Sequence, residues 1–222
     1  MPFDKHASKI AITIPYFHLV GDPNPKGPFH FGERARDGKY NEIAFVTMAI
    51  DANGVVQRQL DFNVADFPNV RVGDRQDMLG HGTLIYGPRN PGDFVAVSVL
   101  AIERDRDVRD LGKSVEQIVK SKAVELGAGA AMAANPTAGL VVTILRELTE
   151  LVARSMQENK DDRIYWTNGT YFRDRLVPYD VERQLNTRVE VAGNHLIEFG
   201  IKVIELERAN GLGREPTAIV LG

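Results

Sequence analysis

Four carboxylates within one short segment are the side chains in this sequence best suited to chemistry. They are Glu103, Asp105, Asp107 and Asp110, and arginines alternate with the first three. Side chains two residues apart in a strand point to the same face, so a strand continued through this segment places Glu103, Asp105 and Asp107 together. Ca²⁺ takes roughly six to eight oxygen ligands, many of them from carboxylates. The segment is therefore a candidate Ca²⁺ site.

The same segment also has a purely structural interpretation. Interleaved acids and bases neutralise one another as a ladder of ion pairs, and acids close to the first turn of a following helix are favoured by the helix dipole. Both interpretations are open at the level of the sequence.

Enzyme motifs are absent from the sequence. It contains no cysteine, which excludes disulfides, thiolate metal sites and a cysteine nucleophile. It also contains no phosphate-binding loop and no Gly-x-Ser-x-Gly elbow. The remaining enzymatic hypothesis is a hydrolase that combines His30 or His81 with Asp74 or Asp77. We therefore expect a non-enzymatic protein that has no cofactor, with Ca²⁺ as the one alternative.

Length, composition and charge are those of an ordinary globular domain. The chain has 222 residues, of which 43% are hydrophobic and 26% charged, with a net charge of −3. A chain of this length buries enough surface to fold as one domain without a metal or a disulfide. The negative charge argues against nucleic-acid binding. The charged first residues, 1–9, do not form a signal peptide, so we expect a cytoplasmic location.

Most of the chain has the period-two or continuous apolar pattern of β-strands. Ile10, Ile12 and Ile14 alternate with small residues in the first strand, where Pro15 indicates an edge or a bulge. Further strands are predicted at 42–50, 55–64, 82–86, 93–102, 163–171, 187–191 and 196–206. We expect the nearly continuous apolar strand 93–102 to be central. Asp51-Ala52-Asn53-Gly54 predicts a tight hairpin turn, and 21–41 a long loop. The fold class is thus mainly β, an antiparallel β-sandwich of about eight strands.

Two helical patterns interrupt the strands. Ser114 and Gln117 match a capping box at the start of the first arm, and Asn135 with Pro136 fits the start of the second. Their short connection predicts an antiparallel two-helix hairpin inserted at 110–160 of a single domain. The flanking segments 9–104 and 163–207 would form the sandwich, and 208–222 a tail whose apolar end, 218–221, docks as a strand or on another subunit. An apolar stripe follows the second arm at three- and four-residue spacing; its members are Leu140, Val141, Ile144, Leu145, Leu148, Leu151 and Val152.

With aspartates near a strand end, this strand layout resembles the C2-type β-sandwich. The likeness covers residues 9–110 and 163–207 and leaves out the hairpin. It implies that Asp105, Asp107 and Asp110 match one Ca²⁺-binding loop of that family. A second acidic loop would have to use Asp51 or Asp61.

Three functional hypotheses follow. The apolar stripe favours a structural or interaction protein whose hairpin binds a protein partner, most simply a second copy in a homo-oligomer. The uncharged run 126–145 instead indicates a membrane-active protein, whose hairpin tip at 132–142 enters a bilayer. The carboxylates favour a Ca²⁺-dependent, C2-like binding module.

Overall fold

A computed structural model describes residues 3–21, 40–103, 111–158, 162–187, 196–208 and 216–221. These residues form eleven strands, four helices and one 3₁₀ turn at Pro178–Asp180. In chain order the strands and helices are β1 (Ile10–Ile14), β2 (Tyr16–Leu19), β3 (Asn41–Asp51), α1 (Ala52–Gln57), β4 (Gln59–Val70), β5 (Arg75–Asp77), β6 (Thr83–Arg89), β7 (Phe94–Glu103), α2 (Leu111–Glu125), α3 (Ala128–Ala134), α4 (Ala138–Glu158), β8 (Asp162–Phe172), β9 (Gln184–Thr187), β10 (Ile197–Glu205) and β11 (Thr217–Val220). The predicted mainly-β class is confirmed.

The strands form two antiparallel sheets. The first sheet is built around β10, which pairs with β1, β2 and β9, while β6 pairs with β1 and β5 with β2. The second sheet has the order β11-β4-β3-β7-β8. One hydrophobic core contains side chains from both sheets, and in it Phe45 makes edge-to-face contacts with Phe17 and Phe199. This core holds the facing sides of the two sheets together.

A second core lies on the other face of the five-stranded sheet, under α2, α3 and α4. The alternation of a strand sends successive side chains to opposite faces, so a sheet with two apolar faces must be covered twice. All ten residues of β7 are buried, and β7 lies between β3 and β8. The prediction of a central strand at 93–102 is confirmed.

The helical segment differs from the predicted pair of arms at two points. The first arm is divided, because Gly127 takes a left-handed conformation (φ +60°) between α2 and α3. The second arm begins later than predicted, since α4 starts at Ala138 and the amide of Leu140 donates to Thr137 Oγ1 at 3.4 Å. The sequence predicts Asn135 as the N-cap of the second arm, but in the structure it is the C-cap of α3. Contacts join α2 to α4 and α4 to β7 and β8.

The predicted tight turn after β3 is wrong, because Asp51-Ala52-Asn53-Gly54 starts the short helix α1. The Asp51 carboxylate accepts the amide of Gly54 at 2.5 Å and so caps the first turn. Arg58 then closes the helix in the left-handed region (φ +52°). A Cβ at Gly54 would lie 2.8 Å from the carbonyl oxygen of Gln59, so this glycine is required by close approach of the backbone rather than by a turn.

Pro15 does not mark an edge. It separates β1 from β2, both of which pair with β10, and the register along β10 differs by one residue on the two sides of the proline. The missing proline donor is thus accommodated at a break inside the sheet. Near the C-terminus, Thr217–Val220 pairs with β4, which confirms one of the two roles predicted for the tail.

We expect Leu148→Ala to lower the free energy of unfolding by about 2–5 kcal/mol, since Leu148 is fully buried between α4 and the five-stranded sheet and its truncation leaves a cavity. Leu151→Ala, in the same helix at a half-buried position, is the matched control and should cost clearly less. Urea unfolding of the two variants measures the difference. Equal costs would contradict this arrangement of α4 on the sheet.

Candidate functional site

The charged segment lies mostly outside the described residues. Glu103 is the last residue of β7, buried, and opposite Ile43 on one side and Asp162 on the other. Asp105, Asp107 and Asp110 belong to the part of the chain that is not described. Among the residues that are, no three His, Cys, Asp or Glu side chains come close enough to hold a metal ion. The Ca²⁺ site and the C2-like resemblance stay predictions.

The hydrolase hypothesis gains no support from its described members. Asp74 accepts the amide of Arg71 at 3.0 Å, and Asp77 is paired with Arg75 Nε at 3.0 Å. His81 is exposed, and His30 lies outside the described residues. Both aspartates are thus occupied by groups that hold the loops around β5, and the hydrolase stays a hypothesis.

The apolar stripe of the second arm packs on the protein's own sheet. Five of its seven members are buried there: Val141, Ile144, Leu145, Leu148 and Val152. Leu140 and Leu151 are half-buried. Partner binding through this stripe stays a prediction, and it would require α4 to leave the sheet that it covers.

A buried ion cluster joins the two sheets at one end of the molecule. Asp51 on β3 is fully buried, and its Oδ2 accepts both the Tyr86 hydroxyl and Arg89 Nε at 2.6 Å. Arg89 also donates from Nη1 to Asp61 on β4, at 3.1 Å to Oδ1, with Oδ2 at 2.9 Å. The guanidinium lies 4.5 Å from the centre of the Tyr86 ring. Since Tyr86 and Arg89 belong to β6 and the two aspartates to the other sheet, the cluster ties the sheets together.

The electrostatics of this cluster follow from its burial. Loss of water raises the pKa of Asp61 above its ordinary value, against the opposing effect of Arg89. Burial likewise raises the pKa of the Tyr86 phenol, which therefore remains a hydrogen-bond donor to Asp51. Every member already has a partner within the cluster. This arrangement serves to hold strands together rather than to receive a substrate.

A shallow cleft of about 410 Å³ lies at the start of β7 and the end of β8. Its cations are already neutralised: Arg173 pairs with Asp93 at 2.8 Å and Asp174 at 3.2 Å, and Arg175 pairs with Asp180 at 3.1 Å. Hydrogen bonds from Arg173 and then Lys5 lower the pKa of Asp174 to about 2, which keeps it charged. A ligand of either charge would have to displace an internal ion pair, so the cleft is a weak candidate for binding.

The outer edge of β8 is a stronger candidate. β8 has eleven residues, pairs with β7 on one side, and ends the order of its sheet among the described strands. The amide of Arg173 donates to Asp93 O at 3.0 Å, continuing the β7–β8 register. Hydrogen bonding alternates along an antiparallel strand, so the backbone groups of 167, 169 and 171 point to β7. Those of Trp166, Asn168 and Thr170 therefore point away from the sheet.

The other edge strands that the structure describes are shorter than β8, and one of them contains proline. β5, β9 and β11 have only three or four residues, and β5 carries Arg75 and Asp77. β6 contains Pro88 and pairs with β1 through register shifts. Short length, charge, proline and bulges are the usual means of preventing edge-to-edge pairing. β8 also has one register shift against β7, where Ile164 has no partner, but beyond it residues 165–172 are in continuous register, uncharged and free of proline. Its backbone is the best template in the described structure for another strand.

Comparisons with protein-family models, with curated proteins and with solved structures found no match for this chain. The candidate site consequently depends on the geometry alone. Sequence reasoning missed it, although the uncharged run 164–172 was a visible signal. Strand patterns identify strands and not their order in a sheet, and the edge position of β8 is a property of that order.

We expect the Asp61→Asn variant to lose a pH dependence of stability. Because the pKa of Asp61 is higher in the folded protein than its ordinary 3.8, its contribution to stability is full below pH 3.8 and falls as the pH rises through the raised value. The asparagine cannot ionise. The difference in unfolding free energy between variant and natural protein should therefore shift in favour of the variant as the pH rises above 3.8. Urea unfolding across that range tests this, and a constant difference would contradict it.

Two proline substitutions test the direction of the β8 backbone groups. Thr167→Pro removes a donor that faces β7 and leaves the carbonyl of Val99 without its partner, at a cost of about 1–3 kcal/mol or more. Asn168→Pro removes only a donor that points out of the sheet and should cost clearly less. Urea unfolding compares the two. A larger loss for Asn168→Pro would reverse the assignment of the open edge.

Proposed function

We propose that this protein is a non-enzymatic interaction protein that binds an extended polypeptide segment along the open edge of β8. The observation that carries the proposal is the combination of an edge position with nine consecutive uncharged residues. Strand addition obtains affinity from main-chain hydrogen bonds and specificity from alternate side chains. The outward amides and carbonyls of Trp166, Asn168 and Thr170 supply the first of these.

In this proposal the helical segment holds β8 in its position in the sheet. The body is a β-sandwich, and the helices form a hairpin that covers the outer face of its five-stranded sheet. α4 contacts both β7 and β8, which supports the edge strand from behind. Ser98 on β7 and Thr149 on α4 are buried with their hydroxyl oxygens 2.7 Å apart. Such a polar contact favours one position of the helix on the sheet over neighbouring positions.

Side chains on both faces of β8 are partly covered. Tyr165 packs against the core between the sheets, and Trp166 packs against the core under the helices. The strand is held on both faces, while its outer edge pairs with no other described strand. A rigid edge of this kind loses little conformational entropy when a partner strand is added.

Strand addition is tested with a panel of synthetic nine-residue peptides whose sequences favour the extended conformation. One of them has the sequence of the chain's own residues 164–172. Binding should slow hydrogen exchange at the amides of Trp166, Asn168 and Thr170, leave those of 167, 169 and 171 nearly unchanged, and alter the emission of Trp166, the only tryptophan. The Asn168→Pro variant, with its fold intact, should bind at least tenfold more weakly.

The proposal is refuted if no peptide changes exchange at the outward amides, or if Asn168→Pro binds peptides as well as the natural protein. A matched substitution at the short edge strand β11, Ala218→Pro, serves as the control for effects of proline on edges in general.

A membrane-associated function is a second candidate, favoured by the connection between α3 and α4. Residues 133–137 are exposed and uncharged, within the uncharged run 126–145. Among the described helices, none is both long and apolar enough to cross a bilayer. Flotation with neutral and anionic liposomes at neutral and acidic pH separates the two candidates, and binding that is lost in Pro136→Asp would favour the membrane.

A further inference from the structure

We propose that the segment bound at β8 is β8 of a second copy, paired antiparallel about a twofold axis through Asn168. This inference rests on the proposed strand addition and names its partner. It joins two five-stranded sheets into one continuous sheet. The backbone orientation, the charge pattern and one glycine of β8 support this pairing.

The backbone orientation restricts the register. Residues directly opposite each other in an antiparallel pair must both point toward the shared edge or both point away. From Tyr165 to Phe172 the outward residues of β8 alternate with those bonded to β7, so a symmetric pair of β8 strands must be centred on a residue and not between two. A slip by one residue would also exchange the faces of every side chain. The twofold axis must therefore pass through a single residue, such as 167, 168 or 169.

The charge pattern selects among these centres. The uncharged run 164–172 has Asn168 as its midpoint. A twofold axis at Asn168 pairs residues 165–171 with one another, all of them uncharged and in continuous register along β7. Centres at 167 or 169 bring the flanking charged residues into the paired region. The register shift at Ile164 and the charges of Arg163 and Arg173 limit the ladder to this segment.

Side chains in the Asn168-centred register complement one another. Trp166 lies opposite Thr170 of the second copy on the helical face, and Tyr165 lies opposite Tyr171 on the sandwich face, as pairs of aromatic and β-branched residues that stabilise sheets. Asn168 is itself an outward residue, so its amide and carbonyl pair with those of Asn168 in the second copy.

Gly169 fits the same arrangement. A glycine inside a strand costs stability, and it is usually retained where a turn or a close contact demands it. Gly169 has ordinary extended backbone, and no described atom lies within 4 Å of a Cβ built on it. In the proposed register it lies opposite Thr167 of the second copy, in a closely spaced pair where the missing side chain gives room to the threonine.

The symmetry of the pair also determines on which side of the joined sheet the helices of the two copies lie. Both copies present the same sheet face on the same side, because the axis is perpendicular to the sheet. The α4 helices, which lie over β7 and β8, then flank the joint from one side. The dimer retains a two-sheet body below and a helical layer above.

Single-cysteine variants test the register directly, because the natural chain has no cysteine. Under mild oxidation, Asn168→Cys should give an interchain disulfide, since the two positions face each other across the axis. Thr170→Cys is the matched control on the same face. Its two copies would lie about 13 Å apart along the strands, too far to be bridged, so cross-linking should fall at least tenfold.

Sedimentation over a range of concentrations measures the oligomeric state. We expect the natural protein to be a dimer and the folded Asn168→Pro variant to be a monomer. The inference is overturned if the natural protein stays monomeric or if cross-linking peaks elsewhere than at 168. If those outcomes occur while peptides still protect the outward amides, β8 binds peptide strands but does not bind a second copy of the chain. If the peptides fail as well, the proposed function falls with it.

Discussion

The structure depends on covering both faces of one sheet. β7 is apolar except for Ser98 and Glu103, and all of its residues are buried. Such a strand is stable only where neither face meets water. The six-stranded sheet covers one face, through a core rich in phenylalanine, and the helices cover the other. The insertion between β7 and β8 is therefore part of the hydrophobic core of the domain, and detaching it would expose that core to water.

Polar groups fix the relative positions of these layers. The Asp51–Arg89–Asp61 cluster connects the two sheets, and the hydroxyl contact between Ser98 and Thr149 connects the sheet to α4. Thr149 donates to Leu145 O at 2.7 Å, so its oxygen is left to accept from Ser98. Apolar packing alone tolerates sliding, whereas a buried polar group without its partner is costly. The few polar contacts in the core thus select one arrangement among several of similar apolar burial.

The class of the fold was predictable because period-two and period-3.6 patterns are local properties of the chain. Ile10–Ile14, the apolar strand at 93–102 and the helical stripe at 140–152 were all identified on this basis. Local patterns failed at Asp51, where an aspartate that suits a turn equally suits a helix cap, and the tertiary contacts of the carboxylate decided for the cap. They also failed to say what covers the stripe of α4. An apolar stripe has the same sequence whether it faces a partner or its own sheet.

The order of strands is the property that the sequence conceals most completely, and the candidate site depends on it. Residues 164–172 read as an ordinary strand with the only tryptophan, and nothing local distinguishes an edge from a centre. Because β8 lies at the end of the sheet order, one edge of this segment pairs with no other described strand. The two cores take up Tyr165, Trp166 and Tyr171 of β8, and β7 pairs with alternate backbone groups of the strand. The other backbone groups, those of Trp166, Asn168 and Thr170, point away from the sheet. Covering faces removes apolar surface from water, whereas only another strand can complete a ladder. The two faces of β8 are thus covered in the same way as those of β7, while its outer edge pairs with no other strand among the described residues.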